Sequence, residues 1–140
     1  MARRGTNIRV VFNNFSEIAA RLAPESAEIV AETLAEIDTT VQVGMAAGGG
    51  GRIYIRRGRA HQASSPGNMP ARDLGALSAS LQTELVPGKA KGYYYTVMDY
   101  GVYLEYGTSK MAPRPFMTPS AERARPNFIS KFRNLERRLR

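Results

Sequence analysis

The chain has 140 residues with 20 Lys and Arg against 12 Asp and Glu, a net charge of +8, and 43% hydrophobic residues. That is one domain's length, enough to bury a core without staples, and the absence of cysteine excludes disulfides and thiolate metal sites. No apolar run approaches the roughly 20 residues of a membrane helix, and no apolar signal core follows the basic start Met1-Ala2-Arg3-Arg4-Gly5, so the expectation is a protein made and kept inside a cell.

Taken in chain order, residues 1–12 read as a flexible basic arm ending in Val10-Val11-Phe12. Asn13 or Asn14 caps a helix over about 14–23, with Phe15, Ile18 and Leu22 on one face. Pro24 restarts the pattern, and Val30, Leu34, Ile37, Val41 and Met45 mark the buried stripe of a longer helix over about 24–46. The glycines Gly48 to Gly51 lack the Lys-Ser/Thr of a phosphate-binding loop and read as a hinge or insertion. Arg52-Ile53-Tyr54-Ile55-Arg56 alternates like a strand. The polar, glycine-, serine- and proline-containing stretch from Arg57 to Asn68 reads as loop, so that 47–72 is expected to be largely loop around that strand.

Asp73 is placed to cap a short helix through Leu74 and Leu77 toward Leu81. Gln82 to Val86 then reads as extended, Pro87-Gly88 as a turn and Gly92 to Met98 as the strongest strand. Met111 to Phe116 is too proline-rich for a helix or central strand. Thr118 to Leu139 reads as a helix with Phe128, Phe132, Leu135 and Leu139 on one stripe, interrupted early by Pro126. The expected class is α+β in a single domain: N-terminal amphipathic helices, a small and mostly antiparallel sheet, and a C-terminal helix.

Charge is bipolar. Glu17 to Asp38 holds six acids and one base, a net of −5, whereas Ala121 to Arg140 holds seven bases and two acids, a net of +5. A subunit that packs acidic face to basic face against copies of itself would use both, and Arg133, Arg137 and Arg138 are the bases singled out for such a contact.

Chemistry is hard to place. The single histidine, His61, lies in a basic stretch and reads as a loop residue, and no serine has a nucleophile-elbow context. No catalytic residue, metal site or cofactor is expected, and the chain is read as not an enzyme. Tyr93, Tyr94, Tyr95, Tyr100, Tyr103 and Tyr106 would suit base stacking, but few bases lie among them, so they are read as alternately packed in the sheet and facing solvent or a neighbour.

Two stretches carry a resemblance. His61-Gln62-Ala63-Ser64-Ser65-Pro66-Gly67-Asn68-Met69-Pro70-Ala71-Arg72-Asp73-Leu74-Gly75-Ala76-Leu77-Ser78-Ala79-Ser80 resembles the "SxPGxPPAxDTGxLxxS" stretch of the tail-completion, or neck, proteins of long-tailed bacteriophages, also filed as minor tail components. The run from Tyr103-Leu104-Glu105-Tyr106-Gly107-Thr108-Ser109-Lys110 through Met111-Ala112-Pro113-Arg114-Pro115-Phe116 to Ser120 is similar to that family's "YxxxxEFGTSKMPARPFLRPAL" signature. Tyr106 stands where phenylalanine is common, and Leu74 where threonine is.

The resemblance implies a structural virion protein, assembled in the bacterial host cytoplasm. It would join others in a ring, typically of six, between the head-closure parts and the tail tube. It implies partners among copies of itself and the other neck, connector and tail proteins, near packaged DNA and away from membrane. Pro66, Gly67, Tyr103, Glu105, Tyr106, Gly107, Thr108, Lys110, Pro113, Arg114, Pro115 and Phe116 join the three arginines as candidate assembly residues. The prolines flanking Arg114 would stiffen it for docking, and Phe116 would plug the core or a neighbour. Alternatives are a basic nucleic-acid-binding protein, or a tail terminator or head-closure component. Whether the C-terminal arginines face DNA or protein stays open at this point.

Overall fold

A computed structural model describes residues 10–11, 24–73 and 75–138. In chain order the elements are β1 (Val10–Val11), α1 (Glu25–Ala47), β2 (Gly50–Arg56), β3 (Arg59–Ser64), α2 (Ala76–Ser80), β4 (Leu81–Leu85), β5 (Gly92–Thr96), α3 (Tyr100–Tyr106) and α4 (Met117–Arg138). The class is α+β. One antiparallel sheet has the order β1-β5-β4, and β2 pairs with β3 in a separate antiparallel hairpin.

The core forms where the apolar stripes meet. Val30, Leu34, Ile37, Val41 and Met45 of α1 are all buried, as the 4-3-4 spacing requires. They pack against Phe128, Phe132 and Leu135 of α4, whose phenylalanine rings sit 4.8 Å apart, and against β5. In β5, Gly92, Tyr94 and Thr96 face inward while Tyr93 and Tyr95 are half-exposed, the period-two pattern of a sheet with one buried face. Tyr94 is fully buried, and its hydroxyl donates to Asp38 Oδ1 at 2.9 Å. Burial first, and then the bond and the charge of Asp38, hold its phenol well above the ordinary tyrosine range.

Several expectations change. Residues 47–72 are not largely loop, because Arg59–Ser64 returns as β3 and pairs Ile53 with Gln62, Tyr54 with His61, Ile55 with Ala60 and Arg56 with Arg59. Between the strands, Arg57 (φ 51°) and Gly58 (φ 76°) both have positive φ, the two-residue turn that matches strand twist. The glycine run serves the base of this hairpin: a Cβ on Gly51 would lie 2.6 Å from the carbonyl oxygen of Ala63. His61 is therefore a strand residue.

Asp73 does not cap α2. Gly75 precedes that helix in a left-handed conformation with no side-chain cap, and Leu81 begins β4 instead of extending α2. Tyr100–Tyr106 forms α3. Pro126 does not interrupt α4, which runs through it. The proline is on the exposed side of the helix, where water can reach the carbonyl that loses its N–H donor. Val10–Val11 of the expected arm forms β1, opposite Tyr94 and Tyr93. The remaining arm residues, the helix expected over about 14–23, Leu74 and Leu139 lie outside the described residues.

The acidic and basic segments meet within the chain. Lys131 Nζ lies 2.8 Å from Glu32 Oε2, and Asn127 Nδ2 donates to Glu36 Oε2 at 2.9 Å, so α1 and α4 use part of their complementarity on each other. Arg133, Arg137 and Arg138 are exposed on α4 and make no ion pair among the described residues.

Candidate functional site

The two stretches singled out in the sequence come together. Gly67 N–H donates to the Pro113 carbonyl at 2.9 Å, and Arg114 Nε donates to the Ser64 carbonyl at 3.1 Å. Arg114 is half-buried and its backbone N–H donates to Leu104, so it latches the end of β3 to the segment after α3. The two prolines stiffen it for this internal contact.

Glu105 organises the second stretch. It is 3% exposed, on α3, and its carboxylate takes three backbone N–H groups from the start of α4: Phe116 at 2.8 Å and Met117 at 3.0 Å on Oε2, and Thr118 at 2.8 Å on Oε1. A helix leaves its first four N–H groups without an internal partner. Here three go to Glu105, and the fourth position, Pro119, has no N–H to satisfy. A negative charge at a helix N-terminus also opposes the helix dipole favourably. The spacing from Glu105 to Phe116 is thus a tertiary cap that fixes where α4 leaves α3.

Between them the chain makes a tight excursion. Gly107 has φ 76° and ψ −178°, a region open essentially to glycine alone, and a Cβ there would lie 2.8 Å from the Met111 carbonyl oxygen. Thr108 and Met111 then bridge, with Lys110 N–H donating to Thr108 Oγ1 at 3.2 Å, so Ser109 and Lys110 form an exposed tip.

The candidate residues divide by burial. Glu105 and Phe116 are interior to this chain, so they shape the surface without presenting a contact; Phe116 plugs its own core. Gly107, Arg114 and Pro115 are half-buried, and Pro66, Gly67, Thr108, Lys110 and Pro113 are exposed. Tyr103 is 54% and Tyr106 67% exposed on α3, and Tyr100, three residues earlier, is also exposed. Together they form a tyrosine face typical of protein contacts.

Beside this lies a groove of about 430 Å³. Met45, Leu77 and Leu104 line its apolar part, and Arg56, His61 and Asp73 its polar wall. Arg56 Nη1 lies 2.6 Å from Asp73 Oδ2, and His61 Nδ1 lies 3.8 Å from Asp73 Oδ1, so Asp73 tethers the hairpin to the body. Among the described residues no group of three or more His, Cys, Asp or Glu side chains could hold a metal ion, and no helix is long and apolar enough to cross a membrane.

The first strand of the hairpin is legible in the sequence, whereas its return as β3 falls in the stretch that reads as loop. Residues 52–60 are all exposed, including Ile53, Ile55 at 81% and the arginines of the turn. The signal was available: the alternation of Arg52 to Arg56 followed by Arg57-Gly58 marks a hairpin whose apolar positions have no partner in the same short segment. In comparisons with known proteins, no family model, no curated protein and no solved structure matches this chain.

Proposed function

We propose that this chain is a structural subunit of a tailed-phage neck, a tail-completion protein that joins copies of itself between tail and head, and not an enzyme. The observation that carries this reading is the interlock of the two motif stretches. Glu105 caps α4 across the excursion at Gly107, and Gly67 and Ser64 are bonded to Pro113 and Arg114. The conspicuous sequence features thereby build one stiff surface bearing exposed tyrosines, rather than lining a reaction site. Electron microscopy of a lysate from phage lacking the gene tests it. DNA-filled heads beside finished, separate tails are expected; normal infectious particles would refute it.

A second reading, nucleic-acid binding, draws on Arg56, Arg57 and Arg59 at the exposed hairpin tip and on the uncovered arginines of α4. It requires tight duplex binding with a steep salt dependence, measured by fluorescence anisotropy.

A further inference from the structure

The β2–β3 hairpin exposes every residue from 52 to 60. Two-stranded hairpins are marginal alone in water, and this one leaves its strands open on both faces beyond its base. Its two faces differ. Directly opposite residues share a face, so Tyr54, Arg56, Arg59 and His61 point one way, the side of the groove that Arg56 and His61 line. Ile53, Ile55, Ala60 and Gln62 point the other way, outward, with Ile53 63% and Ile55 81% exposed. From Gly50 to Ser64 the hairpin carries four arginines and no acid.

The same chain displays a matching surface elsewhere. Glu25, Glu28, Glu32, Ala35, Thr39, Val43 and Ala46 follow one another three or four residues apart along the solvent face of α1, and all are exposed. This stripe is acidic at its N-terminal end and small or apolar toward its C-terminal end, where Val43 is 62% exposed. Glu25 and Glu28 make no ion pair among the described residues. The lengths agree. Arg57 stands about 13 Å beyond Ile53 at strand rise, and Glu28 about 16 Å from Thr39 at helix rise.

We propose that the β2–β3 hairpin is an intersubunit arm that lies along the exposed face of α1 in a second copy of this chain. Arg57, at the turn, meets the second copy's acidic first turns, and Ile53 and Ile55 cover its Ala35, Thr39 and Val43. The contact is head-to-tail, one surface type against a different one, and therefore propagates to a closed ring when the rotation allows. It deepens the reading of the chain as a ring subunit and rests on it. It also gives the exposed isoleucines and the unpaired acids a common use.

Charge exchange on the purified full chain tests this, with association followed by sedimentation velocity at low salt. Arg57→Glu in one variant, and Glu25→Arg with Glu28→Arg in another, should each weaken self-association at least tenfold. An equimolar mixture of the two should restore it, because the reversed arm then faces the reversed helix while the native arm faces the native helix. Restoration also shows that both variants are folded. A wild-type chain that stays monomeric at the highest attainable concentration, or variants that stay apart when mixed, would overturn the arm. So would loss of duplex-DNA binding in the arginine variant with self-association unchanged, since the arm would then serve nucleic acid. The lysate of the gene-deleted phage is an independent readout: unjoined heads and tails alongside a failed charge exchange would leave the neck reading standing and remove only the arm.

Discussion

Removing the Glu105 carboxylate should be among the most damaging single changes in this chain. Glu105→Ala leaves three N–H groups at the start of α4 without their acceptor. Those of Phe116 and Met117 are in buried residues, whereas Thr118 is exposed and its N–H lies closer to water. An unsatisfied buried donor costs about 1–3 kcal/mol, so the two deep groups and the lost charge at the helix end together predict a loss of about 3–5 kcal/mol. Glu105→Gln retains one acceptor oxygen, able to serve Phe116 and Met117, but sets its amide N–H₂ against Thr118 N–H and removes the charge; about 1–2 kcal/mol is expected. Urea unfolding followed by helical circular dichroism, with unchanged m-values, measures both. A loss below about 1 kcal/mol for the alanine variant would show that the cap does not hold α4, and equal losses for the two variants would show that the retained oxygen does nothing.

Gly107→Ala forces a Cβ into a glycine-only conformation and against the Met111 carbonyl, and should cost at least about 2 kcal/mol in the same assay. Pro126→Ala should stabilise α4, by up to about 3 kcal/mol, since an interior proline forfeits one helix hydrogen bond; an unchanged or lower midpoint would count against a continuous helix there. Tyr94 is held protonated in the fold above the pH at which an unfolded tyrosine ionises. Its contribution is therefore intact below about pH 10 and falls above it by about 1.4 kcal/mol per pH unit, a slope that Tyr94→Phe should remove in unfolding measured from pH 9 to 11. Lys131→Met breaks only a half-exposed pair with Glu32, and a loss above about 1 kcal/mol would contradict its surface character.

Much of the scaffold was legible because it rests on short-range periodicity. The α1 stripe from Val30 to Met45 and the α4 residues Phe128, Phe132 and Leu135 declare their buried faces by spacing alone. So does Tyr94, between two half-exposed neighbours. The second motif, Tyr103 to Phe116, could be read as a rigid segment from its glycine and prolines, but its centre was misjudged. Glu105 looks like a surface carboxylate in sequence, and only the return of the chain eleven residues later shows that it receives the start of α4. Arg114 likewise reads as a docking residue until Ser64, fifty residues away, takes its side chain.

The remaining errors share one cause. Asp73 has the local pattern of a helix cap, yet Arg56 captures it from across the hairpin, and a cap and an ion pair compete for the same carboxylate. Arg59–Ser64 lacks apolar alternation because no face of it covers a core, so its strand character comes from pairing with β2 and from the positive-φ turn at Arg57-Gly58. The bipolar charge was visible in the sequence, but whether it is spent inside one chain or between chains depends on which helices pack together, and α1 and α4 do. By itself, then, the sequence determined the α+β class, the helix faces and the stiff turn, all set by residues within a few positions of one another. Tertiary structure alone decided what Glu105, Asp73 and Arg114 are for and which isoleucines remain in water, because those outcomes depend on partners that only the folded chain brings within bonding distance.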